Sequence, residues 1–277
     1  MRIDFIFFLS CISLLPLMAT AISGPELSAA ERTAGHSPAQ NLMITILYDN
    51  TVFLQGTIAD WGFSCLVQGL DKTILFDTGT KPDILMHNIK KLGVKLKDID
   101  LIVLSHEHND HTGGLMTVLK RNSEVTVYAP VSFSDEFFHN VEKSKAAVVK
   151  VDKPIEICPG AHLTGEMGES IIEQGLVIDT PKGSVVILGC SHPGVDNMVR
   201  RAKEILNRDV YLVLGGFHML RYSESQVDET IKSLRAMGVV KCGATHCTGD
   251  NVISEFKKAF AHDFITMGTG RIIEISR

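Results

Sequence analysis

The sequence predicts a mixed α/β domain in which two β sheets pack face to face with helices on their outer sides. Three observations predict it. Short apolar runs and amphipathic segments follow one another from residue 42 to the C-terminus, and the order of strands then helices occurs twice. The run Leu101-Ile102-Val103-Leu104 is apolar throughout, as a buried strand is. No low-complexity linker interrupts residues 42–277, so both halves are read as one domain.

The elements follow in order. Residues 43–48, 64–68 and 73–76 read as strands punctuated by Gly, Asp and Asn. Residues 82–92 read as a helix with Ile84, Leu85, Ile89 and Leu92 on one face and Gly93 ending it. A strand is expected over 99–104, a helix over 115–120 and a short strand over 125–128, while 132–168 shows no regular pattern. Residues 171–179 and 184–188 read as a hairpin around Pro181-Lys182-Gly183. Helices over 195–206, 225–237 and 252–260 then alternate with strands over 210–214 and 239–244, and residues 264–267 and 271–275 return to β structure.

The N-terminus reads differently. Arg2 precedes an apolar run from Phe5 to Met18, and Ala19-Thr20-Ala21 is a small-residue cleavage pattern, so residues 1–21 are expected to be a signal peptide. Asp4 and the single basic residue make it imperfect, and a retained anchor is the alternative. Residues 22–41, rich in Ala, Ser, Pro and Gly, are expected to be a disordered lead-in. The expected location is therefore secreted or periplasmic, with no stable membrane insertion unless that segment is retained.

Of the 277 residues 45% are hydrophobic and 21% charged, an ordinary globular composition. A net charge of -5 without a compensating basic cluster argues against a nucleic-acid partner. Lys90-Lys91 and Arg200-Arg201 read as solvated helix faces. Outside the leader stand Cys65, Cys158, Cys190, Cys242 and Cys247, an odd number without Cys-x-x-Cys spacing, which excludes a disulfide-stapled domain.

The chemistry concentrates where predicted strands end. Asp77-Thr78-Gly79 follows Phe76, and His106, His108, Asp110 and His111 crowd into six residues after Leu104. Gly189-Cys190-Ser191-His192 follows Leu188, Gly215-Gly216-Phe217-His218 follows Leu214, and Thr245-His246-Cys247 follows Ala244. Imidazoles and a carboxylate are the donors zinc takes when one position stays open for water. Clusters facing one edge of a two-layer fold would line a pocket for a small-molecule substrate.

The His-x-His-x-Asp-His pattern of His106, His108, Asp110 and His111 resembles the signature of the metallo-β-lactamase superfamily, and Phe76-Asp77-Thr78-Gly79 its early aspartate motif. The GCSHPG, GGFH and THCTG segments resemble the branch that contains the dihydropterin ribofuranosylaminobenzene phosphate synthases. The resemblance spans residue 42 to the C-terminus. It implies a four-layer αββα sandwich and two metal positions, one held by His106, His108 and His192, the other by Asp110, His111 and His246. It also implies hydrolysis by a hydroxide held between two zinc ions, with Asp110 orienting it and carrying its proton. Asp77 is expected to support the metal loop from behind.

One departure stands out. Superfamily hydrolases commonly carry a bridging aspartate where this chain has Gly189-Cys190, so Cys190 is either a soft ligand or a small packing residue. His218 is expected to contact substrate or move a proton rather than ligate, and Cys247 to pack. Cys65, Cys158 and Cys242 read as buried small hydrophobes. His162 echoes a ligand motif found elsewhere in the superfamily, but His192 matches this branch better. His36, His87, His139 and His262 read as surface or capping residues. An imidazole at position 108, where oxygen-reducing di-iron members carry a carboxylate, favours zinc, with manganese or iron as alternatives.

The leading expectation is an exported metallo-hydrolase acting on a small ester, phosphodiester, lactone or amide. A pterin-pathway-like synthase using a phosphorylated ribosyl compound and a non-catalytic zinc-binding protein are the alternatives. β-Lactamase activity is disfavoured by the motifs around Cys190 and His246. The sequence says nothing of oligomeric state.

Overall fold

The central strands bury both of their faces, and this organises the fold. The computed structural model describes residues 41–276. The expected leader, and all of the lead-in except Asn41, lie outside the described residues. The strands are β1 (Leu42–Tyr48), β2 (Ser64–Gln68), β3 (Ile74–Phe76), β4 (Leu101–Val103), β5 (Thr126–Pro130), β6 (Ala147–Val151), β7 (Ile155–Cys158), β8 (Ala161–Leu163), β9 (Leu176–Ile178), β10 (Ser184–Leu188), β11 (Val210–Gly216), β12 (Lys241–Thr245) and β13 (Ile272–Ile275). They form a seven-stranded sheet ordered β13-β1-β2-β3-β4-β5-β6 and a six-stranded sheet ordered β12-β11-β10-β9-β8-β7.

The helices are α1 (Pro82–Lys91), α2 (Asn109–Thr112), α3 (Leu115–Arg121), α4 (Asp135–Lys143), α5 (Val195–Leu206), α6 (Glu224–Ala236) and α7 (Asp250–Phe260). Leu101 and Val103 join a core shared by both sheets, with Ile44, Ile74, Val185, Ile187, Leu212 and Leu214. Ile102 points the other way, into a second core with Leu85 and Ile89 of α1, Val118 of α3 and Phe138 of α4. Val186 and Val213 likewise face a third core with Met198 of α5, Val227 of α6 and Phe256 of α7. The result is the expected αββα sandwich. Two-sided burial is why the central strands read as unbroken apolar runs. Each fully buried aliphatic side chain contributes about 1.5–3 kcal/mol.

The site-bearing strands are parallel. β3, β4, β5 and β6 run parallel in the first sheet, and β10, β11 and β12 in the second. Parallel neighbours finish at the same edge, so their following loops meet there.

Three expectations are corrected. Residues 132–168 hold α4, β6, β7 and β8. β6 and β7 are the outer strands of their sheets and are half exposed, so their pattern carries no continuous apolar run. The strand expected over 171–179 is confined to β9, because Glu173 and Gln174 turn toward the site instead. Residues 264–267 form no strand. Ile265 N–H donates to the Cys242 carbonyl (2.7 Å) and Gly270 N–H to that of Ile46 (2.8 Å), so the segment crosses from one sheet to the other. Among the described residues no helix is long and apolar enough to cross a membrane.

Candidate metal centre

The first half of the site is built on the ends of β3 and β4. Asp77, fully buried, sits just past β3 with a φ of 53°. Its carboxylate accepts from Ser105 N–H (2.7 Å) and Ser105 Oγ–H (2.7 Å), and from His111 Nδ1 at 2.6 Å. Since Ser105 Oγ gives its proton to Asp77, it must accept from His106 Nδ1, 2.9 Å away. A carboxylate only accepts, so the tautomers follow: His106 and His111 each keep Nε2 free to face inward.

The second half answers it from β9 and β10. Glu173, also fully buried, accepts from the backbone N–H groups of Cys190 (2.8 Å), Ser191 (2.9 Å) and His192 (2.9 Å). Its Oε2 lies 2.9 Å from His192 Nδ1, which leaves His192 Nε2 facing inward. Burial opposes the charge on Glu173, but His192, His106 and these amides hold the carboxyl well below its ordinary range. Gly189 admits no side chain. A Cβ there would meet Ser105 Oγ at 2.2 Å and Ser105 Cβ at 2.6 Å, because the two sheets close to contact at this edge. An aspartate at 189 is therefore sterically barred, and Cys190 is the first side chain available after β10. Gly189→Ala is expected to cost about 1–3 kcal/mol by overpacking, read as a lowered denaturation midpoint at unchanged m-value. An unshifted midpoint would mean that the contact relaxes freely.

Between the halves two donor groups form. His106, His108 and His192 bring one nitrogen each within 4.8 Å of one another, and so do Asp110, His111, Cys190 and His246 with their donor atoms. His106 Nε2 lies 3.0 Å from His108 Nδ1, and the His106 and His111 ring centres are 4.2 Å apart. Cys190 Sγ stands 3.2 Å from His111 Nε2 and 3.4 Å from His246 Nε2. Asp110 Oδ2 lies 3.5 Å from His111 Nε2 and 3.9 Å from His246 Nε2. Trp61 Nε1–H donates to the same oxygen at 3.0 Å.

Burial and neighbouring charges set the protonation of these imidazoles. Burial, then the neighbouring His111, push His106 well below its ordinary range. Burial also opposes a charge on His111, but Asp77 and Asp110 outweigh it and raise the ring to about 10. Despite burial, His111 and His246 hold Asp110 below the usual carboxylate range. A divalent cation would relieve this arrangement by replacing the protons on the inward nitrogens. Nitrogen, carboxylate and thiol donors with their outer nitrogens already engaged fit such an ion.

All six expected ligands, His106, His108, Asp110, His111, His192 and His246, thus gather in these two groups, with Asp77 behind His111. Cys190, buried, lies within the second group. His218 is exposed, with its ring centre 4.4 Å from that of His192, at the mouth of the site. Cys247, expected to pack, is buried. Its Sγ stands within 4.8 Å of donor atoms of Cys190 and His218. His162 lies elsewhere, 3.9 Å from Glu156. His87 bonds the Gly56 carbonyl at 2.9 Å, His139 and His262 are exposed, and His36 lies outside the described residues.

The sequence reading missed Glu173 and Trp61. Glu173 carried a signal, an acid beside Gln174 in the mainly apolar stretch 171–178. Trp61 carried none beyond being the chain's single tryptophan.

Known proteins resemble this chain in sequence and fold. The family model described as the metallo-beta-lactamase superfamily matches residues 62–199. The 7,8-dihydropterin-6-methyl-4-(beta-D-ribofuranosyl)-aminobenzene-5'-phosphate synthase of Methanocaldococcus jannaschii is 33% identical over 263 residues, spanning 77% of this chain and 89% of that protein. The crystal structure of Tm1679, a metal-dependent hydrolase of the beta-lactamase superfamily, is 28% identical with a TM-score of 0.71, covering 85% of this chain and 100% of that one. YhfI from Bacillus subtilis, a metallo-beta-lactamase fold protein, shares the fold at 18% identity with a TM-score of 0.64, covering 84% of this chain and 99% of that one.

Proposed function

We propose, for a chain that belongs to the metallo-beta-lactamase superfamily, that it is a metal-dependent hydrolase of a small ester, phosphodiester, lactone or amide. The observation that carries this reading is the pair of donor groups, each within 4.8 Å, meeting at the open edge of the two sheets. Divalent ions held there, zinc by the donor set, would lower the pKa of bound water to about 7 and polarise the substrate's carbonyl or phosphoryl oxygen. Asp110 accepts a proton from the attacking water at Oδ2, the oxygen that Trp61 orients, and returns it to the leaving group. Asp77 and Glu173 hold His111 and His192 in the tautomers that leave Nε2 for the metal. His218, exposed beside His192, contacts the substrate at the mouth.

A second reading has its own support. The likeness to the M. jannaschii synthase extends over 89% of that protein, which favours a transferase acting on a phosphorylated ribosyl compound. Export through residues 1–21 belongs to the hydrolytic proposal, because substrates of such a synthase would be cytoplasmic.

One experiment addresses both. Protein recovered from the export compartment, with its N-terminal residue determined, is assayed with and without chelator on lactones, phosphodiesters, thioesters, amides and pterin–ribosyl phosphate pairs. The hydrolytic proposal expects Ile22 at the N-terminus and hydrolysis that chelator abolishes and zinc restores. Condensation product alone, or turnover indifferent to chelator, overturns it.

A further inference from the structure

A third set of metal-type donors shares Cys190 with the second group, and no step above uses it as a set. Three adjacent parallel strands supply one residue each: Cys190 after β10, His218 after β11 and Cys247 after β12. One donor atom of each lies within 4.8 Å of the other two. Both cysteines are buried, at 3% and 1% exposure, whereas His218 opens to solvent, so the set is sulfur-lined inside and reachable from outside.

Two local features keep it so. His218 adopts a φ of 48°, a left-handed conformation that a side-chain-bearing residue holds only where surrounding structure imposes it. At Gly216 a Cβ would stand 2.4 Å from Cys247 Sγ and 2.6 Å from His246 Cε1. The bare glycine leaves room for the sulfur. Cys247 Sγ lies 3.7 Å from the Cys190 carbonyl and is in hydrogen-bond reach of the Cys190, His218 and His246 side chains, so the sulfur already faces the other two donors.

We propose that Cys190, His218 and Cys247 form a third metal position that takes a thiophilic d10 cation, cuprous copper above all. Two thiolates and one imidazole are a softer donor set than either other group, where nitrogen and oxygen predominate and Cys190 is the single sulfur. Binding is ligand exchange. Two thiol protons go to solvent, two copper–sulfur bonds and one copper–nitrogen bond form, and the metal keeps its oxidation state. Cys190 also belongs to the group of Asp110, His111 and His246, so a cation held here draws its sulfur from that group and loosens the ion bound there. The proposal does not depend on which reaction the enzyme performs.

The test is an anaerobic titration of the full-length, zinc-loaded protein with cuprous ion against a competing copper chelator, followed by X-ray absorption at the copper edge. The expected result is one retained equivalent with two sulfurs and one nitrogen around it. Cys247→Ser should bind copper about 100-fold more weakly and His218→Gln about 10-fold, both with unchanged far-UV circular dichroism. His218 is exposed, so its variant decides the matter should Cys247→Ser fail to fold. No copper retained against the chelator, a copper shell without sulfur, or wild-type affinity in His218→Gln overturns the assignment.

Discussion

Replacing Asp110 with Asn is expected to lower kcat by about 10²–10⁴-fold and to weaken metal retention at the second donor group, while KM and the unfolding midpoint change little. The reason lies in the position of one oxygen. Asp110 Oδ2 is 3.5 Å from His111 Nε2, 3.9 Å from His246 Nε2 and 3.0 Å from Trp61 Nε1. Among the described residues it is the carboxylate that joins the second donor group, and it is partly exposed. An amide keeps the shape and can still meet the indole, but it cannot take up a proton and hand it on. Trp61→Phe should give a smaller loss, because it frees the carboxylate to turn without removing it. Steady-state kinetics on whichever substrate class proves active measures both. Wild-type turnover in the Asp110 variant would strip that residue of its assigned part.

Changing Glu173 should have the largest effect on stability and metal retention together. Its carboxylate satisfies three buried N–H groups and the His192 ring at once. Glu173→Ala leaves these donors without partners, at about 1–3 kcal/mol each, so a loss of at least about 3 kcal/mol is expected in denaturant unfolding. Glu173→Gln is the sharper test. It preserves volume and half of the acceptors, but its amide –NH2 faces either the amides or the His192 ring as a second donor. Metal affinity at the group of His106, His108 and His192 should fall about 10–100-fold, measured by competition with a chelator, in a protein that still folds. Unaltered affinity in that variant would show that His192 needs no support from behind.

The parts legible in the sequence were those that repeat a local rule. Val186 and Ile102 sit in strands whose neighbours bury the opposite face, and a strand buried on both sides must be apolar at every position. The cluster from His106 to His111 was legible for the same reason, since ligands crowded onto one turn are adjacent in the chain as well as in space. β6 and β7 escaped because outer strands expose one face and much of the other. Glu173 escaped because its meaning depends on three backbone amides from a loop that begins 17 residues later.

The amino-acid order by itself determined the two buried sheets, the helices that cover them and the identity of the donor side chains, because burial and ligand chemistry are properties of residue type and spacing. Only the tertiary structure decided how those donors are grouped, which nitrogen each imidazole presents and why no aspartate can stand at position 189. Those outcomes follow from the close approach of two strand ends, Ser105 against Gly189, and distances across that gap are set by packing of the whole sandwich rather than by any local stretch of chain.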